Sequence, residues 1–495
     1  MNLLEKANQY INAEREKVVD TYRHAFHVMP PIGWLNDPNG FVYFREEYHL
    51  FYQFYPYASE WGPMHWGHSK SKDLIHWEEL PVALAPELDY ELDGCFSGSA
   101  IVKDDRLYLM YTGHYEREGK RREVQCLAVS DDGIHFEKIA SNPVIDERQL
   151  KNYGDIQEFR DPKVFQRGES YFTVVATKTE NERGRILMFQ SKDLLNWTFY
   201  SVVLEGESHQ GIMWECPDLF HLDGKDVLIM SPIEMEEDGH SYHNMSSTVA
   251  FIGQMDWEKG TLAVENYHEI DGGLDFYAPQ TCQNDKGQRI MIAWMQMWKR
   301  NIPTHDLGHG WAGAMTFARE LSVINNRLCQ RPVESLYNQL IVGEEEENRV
   351  LSSEDKWVSA PLLSTQSYAK LVIQPEMSTE VNLRLFAIDR DELLVTYDVT
   401  NEILTVNRGK LGYEIIGAEQ EPLFERSMSA SLVDGKLTLE FVRDNASIEL
   451  FINNRDAMTF TFYQKEVGQN LELTSNQGVI LKQAKIAKIN CGKAN

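Results

Sequence analysis

Apolar and polar positions follow one arrangement along the first two thirds of the chain. A turn leads into an alternating strand, then a charged turn, then a more aromatic strand. DPNGFVYFREEYHLFYQFYP shows it from Asp37, GSAIVKDDRLYLMYTG from Gly98 and RDPKVFQRGESYFTVVATK from Arg160. CPDLFHLDGKDVLIMSP repeats it from Cys216, and APQTCQNDKGQRIMIAWMQ from Ala278. With Asp37, Gly98, Asp161, Pro217 and Pro279 as markers, the spacings are 61, 63, 56 and 62 residues. A second element keeps step: SKDLIHWEEL from Ser71, SDDGIHFEKI from Ser130 and SKDLLNWTFY from Ser191. Two elements with one period predict five small antiparallel sheets, a five-bladed β-propeller. The first strand of each blade lines the central channel, so polar residues that open the hairpins converge on the axis.

Outside the repeat the pattern changes. Leu3, Leu4, Ala7, Tyr10, Ile11, Val18 and Val19 fall near helical spacing and predict an amphipathic helix within residues 1–23. The repeat occupies 24–325. Segment 326–350 reads as a connection: a short helix in QRPVESLYNQLI, then the acidic run Glu344 to Glu347 as a solvated stretch. From 351 to 495, EVNLRLFAI, ELLVTYDV, ILTVNRG, LTLEFVRD and SIELFINN alternate with turns between them. They predict a second domain, a β-sandwich. The fold class expected is therefore all-β.

Charge narrows the partners. The 495 residues carry a net charge of −28. Such acidity disfavours nucleic acid and anionic membranes, both of which need a positive surface. No apolar run approaches the length of a membrane span, and the charged N-terminus does not read as a secretory signal. The six cysteines are scattered without a C-x-x-C pair, which suits free thiols in a reducing cytoplasm.

The hairpin starts carry candidate chemistry. Asp37 in GWLNDPNG, Asp161 in EFRDP and Glu215 in MWECPD would all face the axis. Carboxylates so grouped repel one another unless a metal or a reaction uses them. The D-x-D-x-D spacing of a calcium loop is absent around them. Glycoside hydrolysis, by contrast, needs two carboxyl groups flanking one bond, and aromatic residues near these motifs offer faces on which sugars stack. An isolated Asp in D-P-N-G is ordinarily a turn former; three such carboxylates on one axis point to chemistry. His24, His27, His65 and His68 have spacings open to metal ligation but read as structural. No metal or organic cofactor is expected.

WLNDPNG, FYQFYP, FSGSA, FRDP, WECPD and DFYAPQ, in this order, resemble glycoside hydrolase family 32, the family of invertases, sucrose-6-phosphate hydrolases and fructanases. The resemblance runs from about residue 24 to 490 and is nearest to bacterial intracellular sucrose-6-phosphate hydrolases. It implies a propeller followed by a sandwich. It also implies retaining hydrolysis of β-D-fructofuranosides (sucrose, sucrose-6-phosphate or short fructo-oligosaccharides) by double displacement. Carried over by motif, Asp37 resembles the nucleophile, Glu215 the general acid/base and Asp161 the transition-state stabiliser. Asn36, Gln53, Trp61, Phe96, Ser97, Arg160 and Tyr277 resemble the lining of the fructose pocket. Trp298 and Trp311 resemble residues on the leaving-group side. WKRN stands here where the family usually reads WDRN, and TFAREL replaces the commoner TLPREL.

These roles carry expectations. Asn36 and nearby turn amides should keep Asp37 ionised, Arg160 should balance Asp161, and Cys216 either tunes Glu215 or is a small buried residue. A phosphorylated substrate would need a cation near the leaving sugar. Candidates are Lys120, Arg121 and Arg122 at a hairpin tip, and Lys299 and Arg300 beside Trp298. The expected partner is a small fructoside, with a homodimer also compatible. A fructosyltransferase or a catalytically weak fructan-binding protein would share much of this signature.

Overall fold

The computed structural model describes residues 2–492 apart from 362–363, 389–390, 410, 420–422 and 467. Strands dominate. The N-terminal helix runs over Leu3–Glu14, with one 3₁₀ turn at Arg15–Lys17, so it stops short of Val18 and Val19. Asn2 and Glu5 close it with a reciprocal capping box. Ala7 and Ile11 are buried, and the Asn8 side-chain oxygen accepts from the Val82 amide 3.0 Å away.

Five antiparallel sheets of four consecutive or near-consecutive strands follow, all ending by Pro332. Their first strands are Gly33–Phe44, Gly94–Lys103, Arg160–Arg167, Met213–Leu222 and Tyr277–Gln283. Each marker of the sequence repeat falls in one of them. These strands touch in chain order, and the first also lies against the last. The two-residue strand Trp311–Ala312 pairs in parallel with Gly33 and Trp34, tying the fifth repeat to the first sheet.

The second repeated element is a turn. Ser71, Ser130 and Ser191 each end a third strand, and each hydroxyl accepts from the amide three residues on, at 2.8, 2.8 and 3.0 Å. The donating residues Leu74, Gly133 and Leu194 have φ of 67°, 76° and 74°. Asp73, Asp132 and Asp193 accept the two following amides. Serine and aspartate recur because short polar side chains replace backbone partners at such a corner.

The C-terminal region forms two six-stranded sheets. Leu371, Leu439 and Ile448 from one share a core with Leu383, Val395 and Leu473 from the other. In the segment expected as a connection the short helix is present, but strands stand on either side of it. Arg327–Pro332 completes the fifth sheet, Glu334–Asn338 is a single helical turn, and Leu340–Leu351 is a sheet-edge strand containing the acidic run. One free edge and largely exposed faces leave few of its positions for apolar residues, and charge there discourages pairing with other chains.

A buried polar seam joins the two regions. Arg319 contacts Asp271 at 2.8 Å and Glu449 at 2.7 Å. The two ring nitrogens of His27 lie 2.9 Å from Asp444 and 3.1 Å from Glu449. Burial opposes charge on His27, but these bonds prevail and push its pKa up to about 9. His24 also approaches Asp444. Burial lowers its pKa to about 3 and that of His65 to about 4, and holds His68 well below the usual value.

Candidate active site

A β-bulge at the same place in the first strands positions the site. Pairing slips between Leu35 and Pro38, Phe96 and Gly98, Glu215 and Asp218, and Tyr277 and Gln280. In the third sheet it slips between Arg160 and Lys163, where Asp161 and Pro162 lie opposite the single residue Val175. Asp161, Cys216 and Ala278 have φ of 65°, 49° and 52°. Each precedes a proline, which has no amide hydrogen to lose from the ladder. The bulge turns side chains out of the alternating pattern toward the cavity. At Gly98 an added Cβ would lie 2.0 Å from the Met110 carbonyl oxygen, so glycine permits the strands to close there.

The result is a cavity of about 260 Å³ lined by Asn36, Asp37, Gln53, Trp61, Phe96, Ser97, His114, Arg121, Glu123, Arg160, Asp161, Glu215 and Trp298. It brings together the three carboxylates expected there, Asp37, Asp161 and Glu215, from separate sheets, with Glu123 as a fourth. Ser97 donates to Asp37 Oδ2 at 2.8 Å. The Cys216 thiol lies 3.7 Å from that oxygen and 3.5 Å from Asp161 Oδ2, which also accepts the Cys216 amide at 2.9 Å. Cys216 thus bridges Asp37 and Asp161. Burial and these anions hold its pKa well above the usual thiol value, so it is a neutral donor.

Arg160 is committed elsewhere than expected. Its Nε and Nη2 donate to Glu215 Oε1 at 3.1 and 2.8 Å, and its Nη1 reaches Glu123 at 3.2 Å and Glu158 at 2.5 Å. Tyr277 is fully buried behind the cavity wall and donates its hydroxyl to Glu215 Oε2 at 2.5 Å. Glu215 is therefore gripped on both oxygens. Burial, and then the charge of Glu215, push the Asp37 pKa up to about 6. Asp161 is also raised, by burial and by the neighbouring carboxylates, with Arg160 opposing. Asn36 and Arg160 act in the expected sense, lowering the pKa of Asp37 and Asp161 respectively, but burial and the neighbouring carboxylates outweigh them. Asn36 Oδ1 accepts from the Trp34 indole at 2.8 Å, and Gln53 donates to the Cys95 carbonyl at 3.0 Å.

Aromatic rings form the rim. Trp61 is 48 % exposed and meets Phe96 edge-on, with centroids 6.1 Å apart. Trp298 is half-buried and stacks on Trp34. Trp311 lies in the core, its indole donating to the Val19 carbonyl, and takes no part in the cavity. Of the cation candidates, Arg122 is paired with Glu147, and Arg300 is buried between Asp275 and Glu419. Lys299 is exposed but outside the cavity lining. Two participants escaped the sequence reading. His114 stacks on Phe96 at 4.0 Å, and Glu123 is buried against Arg160. Only their place in the second repeat, facing the axis, could have signalled them.

Buried carboxyl groups beneath aromatic rings are the equipment of a glycoside hydrolase. Comparison with known proteins makes this specific. Residues 27–332 match the glycosyl hydrolases family 32 N-terminal domain, and 333–491 match the family's C-terminal domain. The chain belongs to glycosyl hydrolase family 32. It is 38% identical over 482 residues to the sucrose-6-phosphate hydrolase of Escherichia coli, covering 94% of this chain and 95% of that one. Among solved structures, the Bombyx mori β-fructofuranosidase with sucrose bound is 33% identical with a TM-score of 0.84, covering 98% of both chains. The sucrose-6-phosphate hydrolase of Lactobacillus gasseri has a TM-score of 0.86 at 25% identity, covering 98% of this chain and 96% of that one.

Proposed function

We propose that the protein is a retaining β-D-fructofuranosidase acting on sucrose-type fructosides, sucrose and sucrose-6-phosphate foremost. The observation that carries this is the convergence of Asp37, Asp161 and Glu215 in one ring-rimmed cavity. The names of the relatives support the same substrates. Asp37 attacks the anomeric carbon of the fructosyl unit while Glu215 protonates the departing glycosidic oxygen. Glu215 then takes a proton from water as the water releases fructose from Asp37. Asp161 binds fructosyl hydroxyls and stabilises the transition state. Arg160 and Tyr277 orient Glu215, and Ser97 and Cys216 hold Asp37.

The architecture that serves this is a five-bladed propeller with the site on its axis, followed by a β-sandwich. The cyclic contact of the five first strands and the Trp311–Ala312 strand on the first sheet support closure. The end of the fifth sheet at Pro332, where the family's two domains also meet, supports a boundary there. Six unpaired thiols agree with a cytoplasmic location. Purified protein should release free fructose from sucrose, sucrose-6-phosphate or kestose. Release from none of them would end this reading, and transfer products dominating at high sucrose would reassign it as a fructosyltransferase.

A further inference from the structure

The hairpin Arg106–Arg117 to Lys120–Ser130 brings a cation to the cavity that carries the carboxylates. Arg121 and Glu123 are two residues apart on one strand, so both point to the same face. Glu123 is buried deep in the site, against Arg160. Two residues of strand span about 7 Å, which sets Arg121 that much nearer the mouth. Its side chain is 52% exposed, and its ion-pair contact is Glu158 at 3.4 Å, a carboxylate already held by Arg160 at 2.5 Å. Arg160, the other cation of the lining, is shared among Glu215, Glu158 and Glu123. Among the described residues lining the cavity, Arg121 is thus the cation least committed to the protein.

That cation stands over an acidic interior. Asp37, Asp161, Glu215 and Glu123 line it, with Glu158 behind Arg160. A phosphate dianion brought to this mouth is repelled by every one of them; a neutral sugar is not. Resting on the fructosidase reading above, we propose that Arg121 is a specificity-determining residue that takes the phosphate monoester of a phosphorylated leaving sugar, exchanging its loose contact with Glu158 for that anion. Planar guanidinium pairs well with phosphate oxygens. Arg122 is tied to Glu147 and Lys120 lies outside the lining, so the run of three cations divides into one reader and two structural or solvated neighbours.

The test is a comparison of substrates in the full chain. Arg121→Gln should raise KM for sucrose-6-phosphate roughly 10- to 100-fold, the worth of one charge-assisted hydrogen bond. KM for sucrose, and kcat for both, should move by less than about twofold. Arg121→Lys should recover part of the loss, and Arg122→Gln should leave the ratio of the two substrates unchanged. Equal losses on both substrates, or no change on either, would overturn the assignment. Calorimetric binding of sucrose-6-phosphate to the Asp37→Asn protein, with and without Arg121→Gln, reads Arg121 independently of turnover. An equal rise in Kd supports it and an unchanged Kd refutes it, whereas absent fructose release from every fructoside would indict only the fructosidase reading.

Discussion

Asp37→Asn should abolish turnover and stabilise the protein, by an amount that grows with pH. Asp37 is only 8% exposed, and its pKa is pushed up to about 6. The unfolded chain ionises the same group near 3.9. Between these values the native state holds a proton that the unfolded state has released, so stability falls as pH rises. At about 1.4 kcal/mol per pH decade, the penalty is roughly 0.5 kcal/mol at pH 4, about 1.5 at pH 5 and about 3 at pH 7.5. The amide of Asn carries no charge, and its oxygen still accepts from Ser97. With about 2.1 cal/mol/K of unfolding entropy per residue over roughly 300 residues, 3 kcal/mol corresponds to about 5 °C. Paired thermal melts at pH 4, 5 and 7.5 measure it. A variant less stable than the parent at pH 7.5, or a difference independent of pH, would refute the reasoning.

Two further substitutions test the surroundings. Tyr277→Phe removes the hydroxyl that reaches Glu215 Oε2 and should lower kcat/KM by about 10- to 100-fold while leaving the melting temperature nearly unchanged; undiminished activity would show that the contact has no role in positioning Glu215. His27→Gln strands Asp444 and Glu449 without their shared cation and should cost about 3 to 5 kcal/mol at pH 6, read from denaturant unfolding. Because the folded pKa is raised to about 9, this contribution is whole below about pH 6.5 and fades as pH rises through 9; a cost that does not shrink at pH 10 would contradict a charged His27.

The sequence disclosed what repeats and hid what does not. Asp37, Asp161 and Glu215 were legible because each stands in or next to a bulge, within two residues of a proline, near the start of a strand recurring about every 60 residues. The serine–aspartate turns were visible for the same reason. Tyr277 was expected from its motif to line the pocket; its place behind Glu215 could not be read, since that depends on how two sheets meet. Glu344 to Glu347 read as a loop because an exposed edge strand lacks the alternation by which strands are recognised. Arg300 was a candidate for a substrate phosphate, and nothing in the sequence marked Arg319 as a seam residue; their carboxylate partners lie far away in sequence or in the other region. Arg121 could not be told from Arg122, because adjacent strand residues face opposite sides and only the folded hairpin shows which faces the cavity.

The central claim is the division of labour between Asp37 and Glu215, and azide tests it most directly. Glu215→Ala removes proton transfer, a contribution of about 10²- to 10⁴-fold, and a fructoside with an activated leaving group should still load Asp37. Azide needs no general base and fits the space left by the side chain. It should accelerate turnover of that substrate by Glu215→Ala and give β-fructosyl azide, the configuration kept through two inversions. Asp37→Ala should show no such product through a fructosyl-enzyme. An α-configured azide from Glu215→Ala, or rescue in Asp37→Ala alone, would contradict the assignment of the two roles.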